Sequence, residues 1–347
     1  MKKIAVLTGG GDAPGLNAVL RAVVLTALGR GVRVLGIRDG FGGFVEADGT
    51  VELKEDSVRG LLWRGGSILR CNNQYRGNPD LFVGRMQELG LDGLVAVGGD
   101  GTLTIAAQMH ERGVKVVGVP KTIDNDVVGT DLTFGFDSAV SVVAEACGRL
   151  IDTGESHHRV MLVEVMGRHS GFLALHGALA GGADVVLLPE IPYRPENVAA
   201  VVRGRSSRGR TYTLIVVAEG AVREGRGAVA DAVRSARSGG ERLGGVGDLV
   251  ADELHDALKG LHGVRAMQLG HLQRGGPPTP FDRVLGTRLA THATWALLEG
   301  HGGLFSAWHR GEVTLAPITG AAGRHRTVEA DDPLLTVARA VNLSFGD

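Results

Sequence analysis

The chain reads as an α/β protein built from parallel sheets with helices on both faces, and three observations lead there. Short apolar, β-branched runs recur at residues 94–97, 114–119, 160–165 and 211–218, each the length of a strand buried on both sides. Each run ends in a polar cluster, glycine-bearing in three and Lys121-Thr122-Ile123-Asp124-Asn125-Asp126 in the other. Stretches with helical periodicity alternate with these units, as crossover connections between parallel strands require.

In chain order, residues 4–8 form a β-rich run, Gly9-Gly10-Gly11-Asp12 turns the chain, and residues 16–30 have helical periodicity with Pro14 near their start. Residues 32–37 are the next strand. The segment from Gly65 to Arg76 is a polar loop, and Pro79-Asp80 leads into a helix ending near Gly90. The strand at 94–97 delivers Gly98-Gly99-Asp100-Gly101-Thr102, and the strand at 114–119 delivers Pro120-Lys121-Thr122-Ile123-Asp124-Asn125-Asp126. Ser138 opens a long helix through Leu150, and Ser156-His157-His158-Arg159 precedes a strand at 160–165 that ends on Met166-Gly167-Arg168. A helix at 172–180, a strand at 184–188 and a helix at 196–208 continue the alternation. The strand at 211–218 ends on Glu219-Gly220. Residues 223–245, rich in Arg, Ser and Gly, read as an exposed excursion with one short helix. A strand at 264–269 runs into Gly270-His271-Leu272-Gln273-Arg274-Gly275-Gly276, residues 281–298 form the last long helix, and a polar, strand-like tail follows.

Composition removes several classes of function. A net charge of -1 over 347 residues gives no electrostatic reason to bind nucleic acid or an anionic membrane. The 55 glycines follow no repeat, so they are turn and close-approach glycines rather than a collagen-like or low-complexity tract. Cys71 and Cys147 lack metal-ligand spacing and suit a reducing, cytoplasmic setting. Gly9-Gly10-Gly11 interrupts the N-terminal apolar run before a signal segment forms, and no window is long and apolar enough for a membrane span.

The polar clusters have their own chemistry. Strand, glycine turn and helix start form a phosphate-binding arrangement, because no side chain obstructs the loop and the helix start presents unpaired N–H groups. Two strand ends of this kind offer glycines for a phosphate chain and carboxylates for a cation and a proton. Taken singly, each motif is equally well a tight connection between two elements.

Five motifs in order resemble the signatures of the 6-phosphofructokinase family across roughly residues 3 to 320: Gly9 to Gly15, Gly98 to Thr102, Pro120 to Asp126, Met166 to Arg168 and Leu269 to Gly276. Gly245-Val246-Gly247-Asp248 and the closing segments are most similar to the actinobacterial-type, mixed-donor branch. The resemblance implies two Rossmann-like, doubly wound α/β domains with the active site in the cleft between them. Residues 1–137 with about 274–323 would bind the donor, and residues 138–273 with about 324–347 the sugar phosphate. It implies ATP as donor, Mg2+ at Asp100, and Asp124 as the base for the 1-hydroxyl of fructose 6-phosphate, with Thr122, Lys121, Asp126 and Arg168 completing the catalytic set. Gly11, Gly99, Gly101, Thr102, Tyr75 and Arg76 would join Asp100 around the donor. Thr122, Ile123, Asp124, Met166, Gly167, Arg168, Glu219, His271, Leu272, Gln273 and Arg274 would contact the sugar phosphate. Arg159 and Arg265 would cross from a neighbouring subunit, which implies a homo-oligomer, dimer or tetramer.

Two residues bear on the donor in opposite senses. In the family, Gly at the position of Gly101 leaves room for the nucleoside of ATP, whereas Lys at the position of Lys121 resembles enzymes that use pyrophosphate. Steric exclusion is the harder constraint, so ATP is expected and pyrophosphate is the alternative. The loop after Gly66 departs from the family: Asn73 stands where an Arg contacts the transferring group, and Arg70 replaces a Gly. Arg70 or Arg76 is the candidate substitute for that charge, and a non-catalytic sugar-phosphate-binding homologue is the further alternative. At the family's allosteric site Arg21 fits but Leu25 replaces a second Arg.

Overall fold

The computed structural model describes residues 1–72, 78–225, 227–228, 245–260 and 262–347. Asn73, Tyr75 and Arg76 lie outside the described residues, as does the short helix expected within 223–245. In chain order the described strands and α-helices are β1 (Lys3–Thr8), α1 (Leu16–Leu28), β2 (Arg33–Ile37), β3 (Thr50–Leu53), α2 (Pro79–Glu88), β4 (Leu94–Gly98), α3 (Asp100–Glu111) and β5 (Val116–Pro120). They continue with α4 (Phe136–His157), β6 (Arg159–Val165), α5 (Phe172–Ala180), β7 (Val185–Leu187), α6 (Pro195–Ser207), β8 (Thr213–Ala218), β9 (Val222–Arg223) and β10 (Gly227–Ala228). Last come α7 (Val246–Leu258), β11 (Gly263–Gln268), α8 (Pro280–Leu298), β12 (Leu304–His309), β13 (Glu312–Pro317) and α9 (Pro333–Ala340). The chain divides into two compact units, Met1–Ser138 with Arg274–Arg326 and Ala139–Gln273 with Thr327–Asp347.

The first unit holds a seven-stranded sheet in the order β13-β12-β5-β4-β1-β2-β3. Side chains alternate across it as the strand period of two dictates. Ile4 and Val6 of β1 join Val95, Val97, Val117 and Val119 in a core closed by α1 and α8. Ala5 and Leu7 face the opposite core with Phe82 and Met86 of α2 and Leu103, Ala106 and Met109 of α3. Burying such a side chain on both faces of a sheet contributes roughly 1.5–3 kcal/mol each, which is why these strands read as unbroken apolar runs. From β1 the sheet grows to β2 on one side and to β4 on the other. That reversal opens a crevice at the carboxyl ends of β1 and β4, where open α/β sheets hold their ligands.

The sheet is not wholly parallel, which corrects the expectation. β2 and β3 pair antiparallel, and so do β12 and β13. The strand-like tail begins as a hairpin because Arg310 and Gly311 both take positive φ, 50° and 90°, the geometry of a two-residue reversal.

The second unit has an all-parallel sheet, β11-β6-β8-β7. Val160, Leu162, Ile215 and Val217 pack against α6 and α7. On α5, Gly177 and Gly181 admit Val143 and Cys147 of α4, where an added Cβ would meet each side chain at 2.5 Å. Helix α4 runs to His157, past the expected end at Leu150, because Gly154 does not break it: that glycine packs on Met161, 2.9 Å from where a Cβ would stand. Ser156 and His157 therefore belong to the helix, and His158, at φ 53°, ends it. Buried Glu164 accepts from the N–H groups of Gly245 (3.1 Å) and Gly247 (2.7 Å), so the Gly-Val-Gly-Asp run is the start of α7, held by a carboxylate as the helix dipole favours.

Candidate active site

The carboxyl ends of β1, β4 and β5 lie side by side, with Thr8 opposite Val97 and Gly98 opposite Pro120. This register gathers Gly9 to Asp12, Gly98 to Thr102 and Lys121 to Asp126 at one edge of the first unit. Lys121 ties the three together. Its backbone N–H donates to Gly98 O at 3.0 Å, and its Nζ donates to Gly11 O. Arg274 donates from Nη1 to the next carbonyl, Asp12 O, at 3.2 Å. The guanidinium lies so close over Gly11 that a Cβ there would stand 2.1 Å from Nη1, so a larger residue would have to displace Arg274 from the turn.

Two cations thus lie on adjacent carbonyls of the glycine turn. Lys121 is only 4% exposed, and burial lowers its pKa from 10.5 to about 8, with the charge of Arg274 acting in the same direction. An ammonium so poorly solvated gains most from an incoming anion.

The acidic residues assemble beside it. Asp100 is the first residue of α3, and Asp126 ends the loop after β5. His325 stands between them, Nδ1 3.1 Å from Asp126 Oδ2 and Nε2 3.8 Å from Asp100 Oδ2. The loop is held from within. Asn125 takes φ 53°, its Nδ2 donates to Asp131 O at 3.1 Å, and its Oδ1 accepts from Thr133 N at 2.9 Å. Thr133 Oγ1 donates to Thr122 O at 2.9 Å, and Asp124 N to Thr122 Oγ1 at 3.1 Å. Among the described residues no group of three His, Cys, Asp or Glu has metal-holding geometry. A Mg2+ ion takes one or two carboxylates and leaves its other positions to water and donor phosphates. Asp100 and Asp126, with side chains 40% and 15% exposed, fit the requirement.

The unusual loop packs against the glycine turn. Thr8 Oγ1 donates to Arg70 O at 2.7 Å and lies 2.9 Å from Ser67 Oγ, while Gly10 N donates to Asn72 O at 3.3 Å. Arg70 takes φ 61°, a left-handed conformation that costs a non-glycine residue about 1–2 kcal/mol. Its guanidinium pairs with Asp39 at 2.6 Å and is 61% exposed.

In the second unit, Met166, Gly167, Arg168 and Glu219 sit at the carboxyl ends of β6 and β8. Glu219 N donates to Val165 O at 2.8 Å, Gly220 N donates to Gly167 O at 3.2 Å, and Gln273 Oε1 accepts from Met166 N at 3.2 Å. His271 and Leu272 are exposed on the short turn before Gln273. Arg159 begins the seven-residue strand β6, and Arg265 lies on β11. Six steps along a strand separate Arg159 from Val165, roughly 20 Å, so Arg159 and Met166 to Arg168 lie at opposite ends of β6, while Arg265 stands mid-strand beside Met161.

His325 was not among the residues singled out from the sequence. It lies 199 positions from Asp126, and only a pairing of its backbone with Val127 brings it there. No local spacing announces such a contact. Arg274, expected on the sugar phosphate with His271, also donates to the Gly11–Asp12 turn, a contact the sequence does not announce.

A family model described as phosphofructokinase matches residues 3–297. An ATP-dependent 6-phosphofructokinase of Chloroflexus aurantiacus is 45% identical over 358 residues, covering 100% of this chain and 98% of that protein. A pyrophosphate--fructose 6-phosphate 1-phosphotransferase of Amycolatopsis methanolica is 44% identical, covering 94% of this chain and 96% of that protein. Among solved structures, Pichia pastoris phosphofructokinase in the T-state matches 98% of this chain with a TM-score of 0.81 at 31% identity, and the chain spans 37% of its length.

Proposed function

The chain belongs to the phosphofructokinase family, and on that premise we propose that it transfers the terminal phosphoryl group of ATP to the 1-hydroxyl of fructose 6-phosphate. The observation that carries this reading is the convergence at one sheet edge of the Lys121 and Arg274 cations with the Asp100, Asp124 and Asp126 carboxylates.

The chemistry needs positioning and charge stabilisation more than covalent help. The sugar 1-oxygen bonds to the terminal phosphorus as the bond to the bridging oxygen breaks, and Asp124 accepts the hydroxyl proton. ADP carries away the electron pair of the broken bond. Thr122, through its bond to Asp124 N, holds the base in register. Lys121 stabilises the developing charge on the transferring group, and the family resemblance gives Arg168 the same task. Asp100 and Asp126 would hold Mg2+, which when bound neutralises the donor oxygens. Gly11, Gly99, Gly101 and Thr102 form the donor turn. Met166, Gly167, Arg168, Glu219 and Gln273 take the sugar. Arg159, at the far end of β6 from Met166 to Arg168, and Arg265 serve a neighbouring copy, as the family resemblance implies, and the working form is a homo-oligomer.

Space supports ATP as donor: a Cβ at Gly101 would meet nothing within 4 Å, so the position beside Asp100 is open. A second reading, pyrophosphate as donor, is favoured by Lys121. No helix among the described residues is long and apolar enough to cross a membrane. The two free thiols, Cys71 and Cys147, support a reducing, cytoplasmic setting. Coupled assays with fructose 6-phosphate and other ketose phosphates, run with ATP and with pyrophosphate, test the proposal. Turnover with ATP is expected. Activity with pyrophosphate alone would overturn the donor, and binding of sugar phosphate without turnover on either donor would leave a regulatory homologue.

A further inference from the structure

His325 is the side chain closest to an explanation of how two carboxylates remain beside each other at a site meant for a cation. Its Nδ1 lies 3.1 Å from Asp126 Oδ2, within hydrogen-bond reach, and its Nε2 lies 3.8 Å from Asp100 Oδ2, beyond it. The ring thus engages one carboxylate and only neighbours the other. Its backbone is anchored in the same loop: His325 bridges Val127, and Arg326 N donates to Asp126 O at 2.7 Å. Arg326 also donates from Nη1 to Thr130 O at 3.1 Å and from Nη2 to Asp131 O at 3.0 Å. The segment at 325–326 therefore fastens the loop that carries Asp124 and Asp126 from outside, as Asn125 and Thr133 fasten it from within.

We propose that His325 is a positioning residue for the metal–donor complex, holding the Asp126 carboxylate beside Asp100 so that the acidic pair is formed before the cation arrives. The inference rests on the phosphoryl-transfer reading above and adds to it a residue and a task. A histidine hydrogen-bonded to a carboxylate of a metal site fixes its orientation without being a ligand, and removing such a partner typically weakens metal binding about 10–100-fold.

The test compares binding of a non-hydrolysable ATP analogue, with and without Mg2+, by calorimetry on the parent protein, His325→Ala and His325→Asn. His325→Ala is expected to weaken the Mg2+ complex about 10–100-fold and to leave affinity for the metal-free analogue unchanged. His325→Asn, which keeps a donor near the Nδ1 position, recovers most of the loss. Equal weakening of both ligands would mean that His325 only braces the loop, and unchanged binding of both would mean it does nothing there; either result overturns the proposal. Thermal unfolding of each variant reports loop damage separately, and if His325→Ala fails to fold, His325→Phe, which keeps the ring volume without a donor, takes its place with the same expected and overturning outcomes. A parent protein that turns over no sugar phosphate yet shows the Mg2+-specific loss refutes the kinase reading and not the role of His325.

Discussion

Replacing Lys121 with Met should make the protein more stable and less active, and the size of the first effect follows from the burial of the ammonium. Holding the charged form where its pKa falls from 10.5 to about 8 costs about 3 kcal/mol near neutral pH, at about 1.36 kcal/mol for each pH unit. Met fills nearly the same volume without a charge. It gives up the hydrogen bond to Gly11 O, and an orphaned buried carbonyl costs about 1–3 kcal/mol. The net expectation is a stabilisation of roughly 0–2 kcal/mol at about pH 7. The pH dependence is sharper. Between about pH 8 and 10.5 the unfolded chain still binds the Lys121 proton while the folded chain has released it, so parent stability rises with pH through that window. Relative to Lys121→Met, the parent should gain roughly 2 kcal/mol between about pH 7 and 9.5. Urea unfolding followed by tryptophan fluorescence reads this directly, because Trp63, Trp295 and Trp308 all lie in the first unit. Identical pH profiles for the two proteins, or a variant less stable than the parent at both pH values, would refute the reasoning.

Three further outcomes are expected. Asp124→Asn should lower kcat about 10²–10⁴-fold with KM for the sugar phosphate little changed, since steady-state kinetics then reports loss of the proton acceptor alone. Gly101→Asp should fold normally, a Cβ there meeting nothing within 4 Å, yet lose about 100-fold or more in kcat/KM for ATP and less for pyrophosphate, as a carboxylate placed in the donor path repels the longer phosphate chain. Arg70→Gly relieves a left-handed backbone and gives up an exposed ion pair with Asp39, so chemical denaturation should show a gain of about 0.5–1 kcal/mol. A fall in kcat of that same variant would identify Arg70 as the substitute for the family's missing arginine, and an unchanged kcat would exclude it.

Most strands and the donor turns could be read from the chain because burial on both faces leaves an unbroken apolar run, and a run with a polar end is hard to mistake. Helix α3 was not read: it begins on Asp100 inside the Gly98 to Thr102 motif, so the glycines that mark the turn conceal the helix start. Helix α7 was hidden for a related reason, its first turn being Gly-Val-Gly-Asp and its cap the distant Glu164 rather than a neighbouring side chain. In the tail, α9 shows its Asp332 cap and first-turn Pro333 plainly, yet it follows a polar stretch that carries no period. At the site, the apolar runs place Lys121, Asp100 and Asp126 at strand ends, and their roles follow from the family resemblance. The engagement of Arg274 with Asp12 and the place of His325 depend on chain segments that only the folded topology brings near.

Thr102 carries a consequence for how this chain can change. Its hydroxyl would lie 2.5 Å from a Cβ on Gly9 and 2.3 Å from one on Gly98, and the residue is 5% exposed. One side chain thus forbids alanine at two strand ends that are remote in sequence. Drift at Gly9 or Gly98 is blocked while Thr102 stands, and Gly98, where an added Cβ would also meet the Thr102 Cβ at 2.4 Å, opens only if residue 102 first loses its side chain altogether. The donor turn is inherited as a linked set rather than as separate glycines.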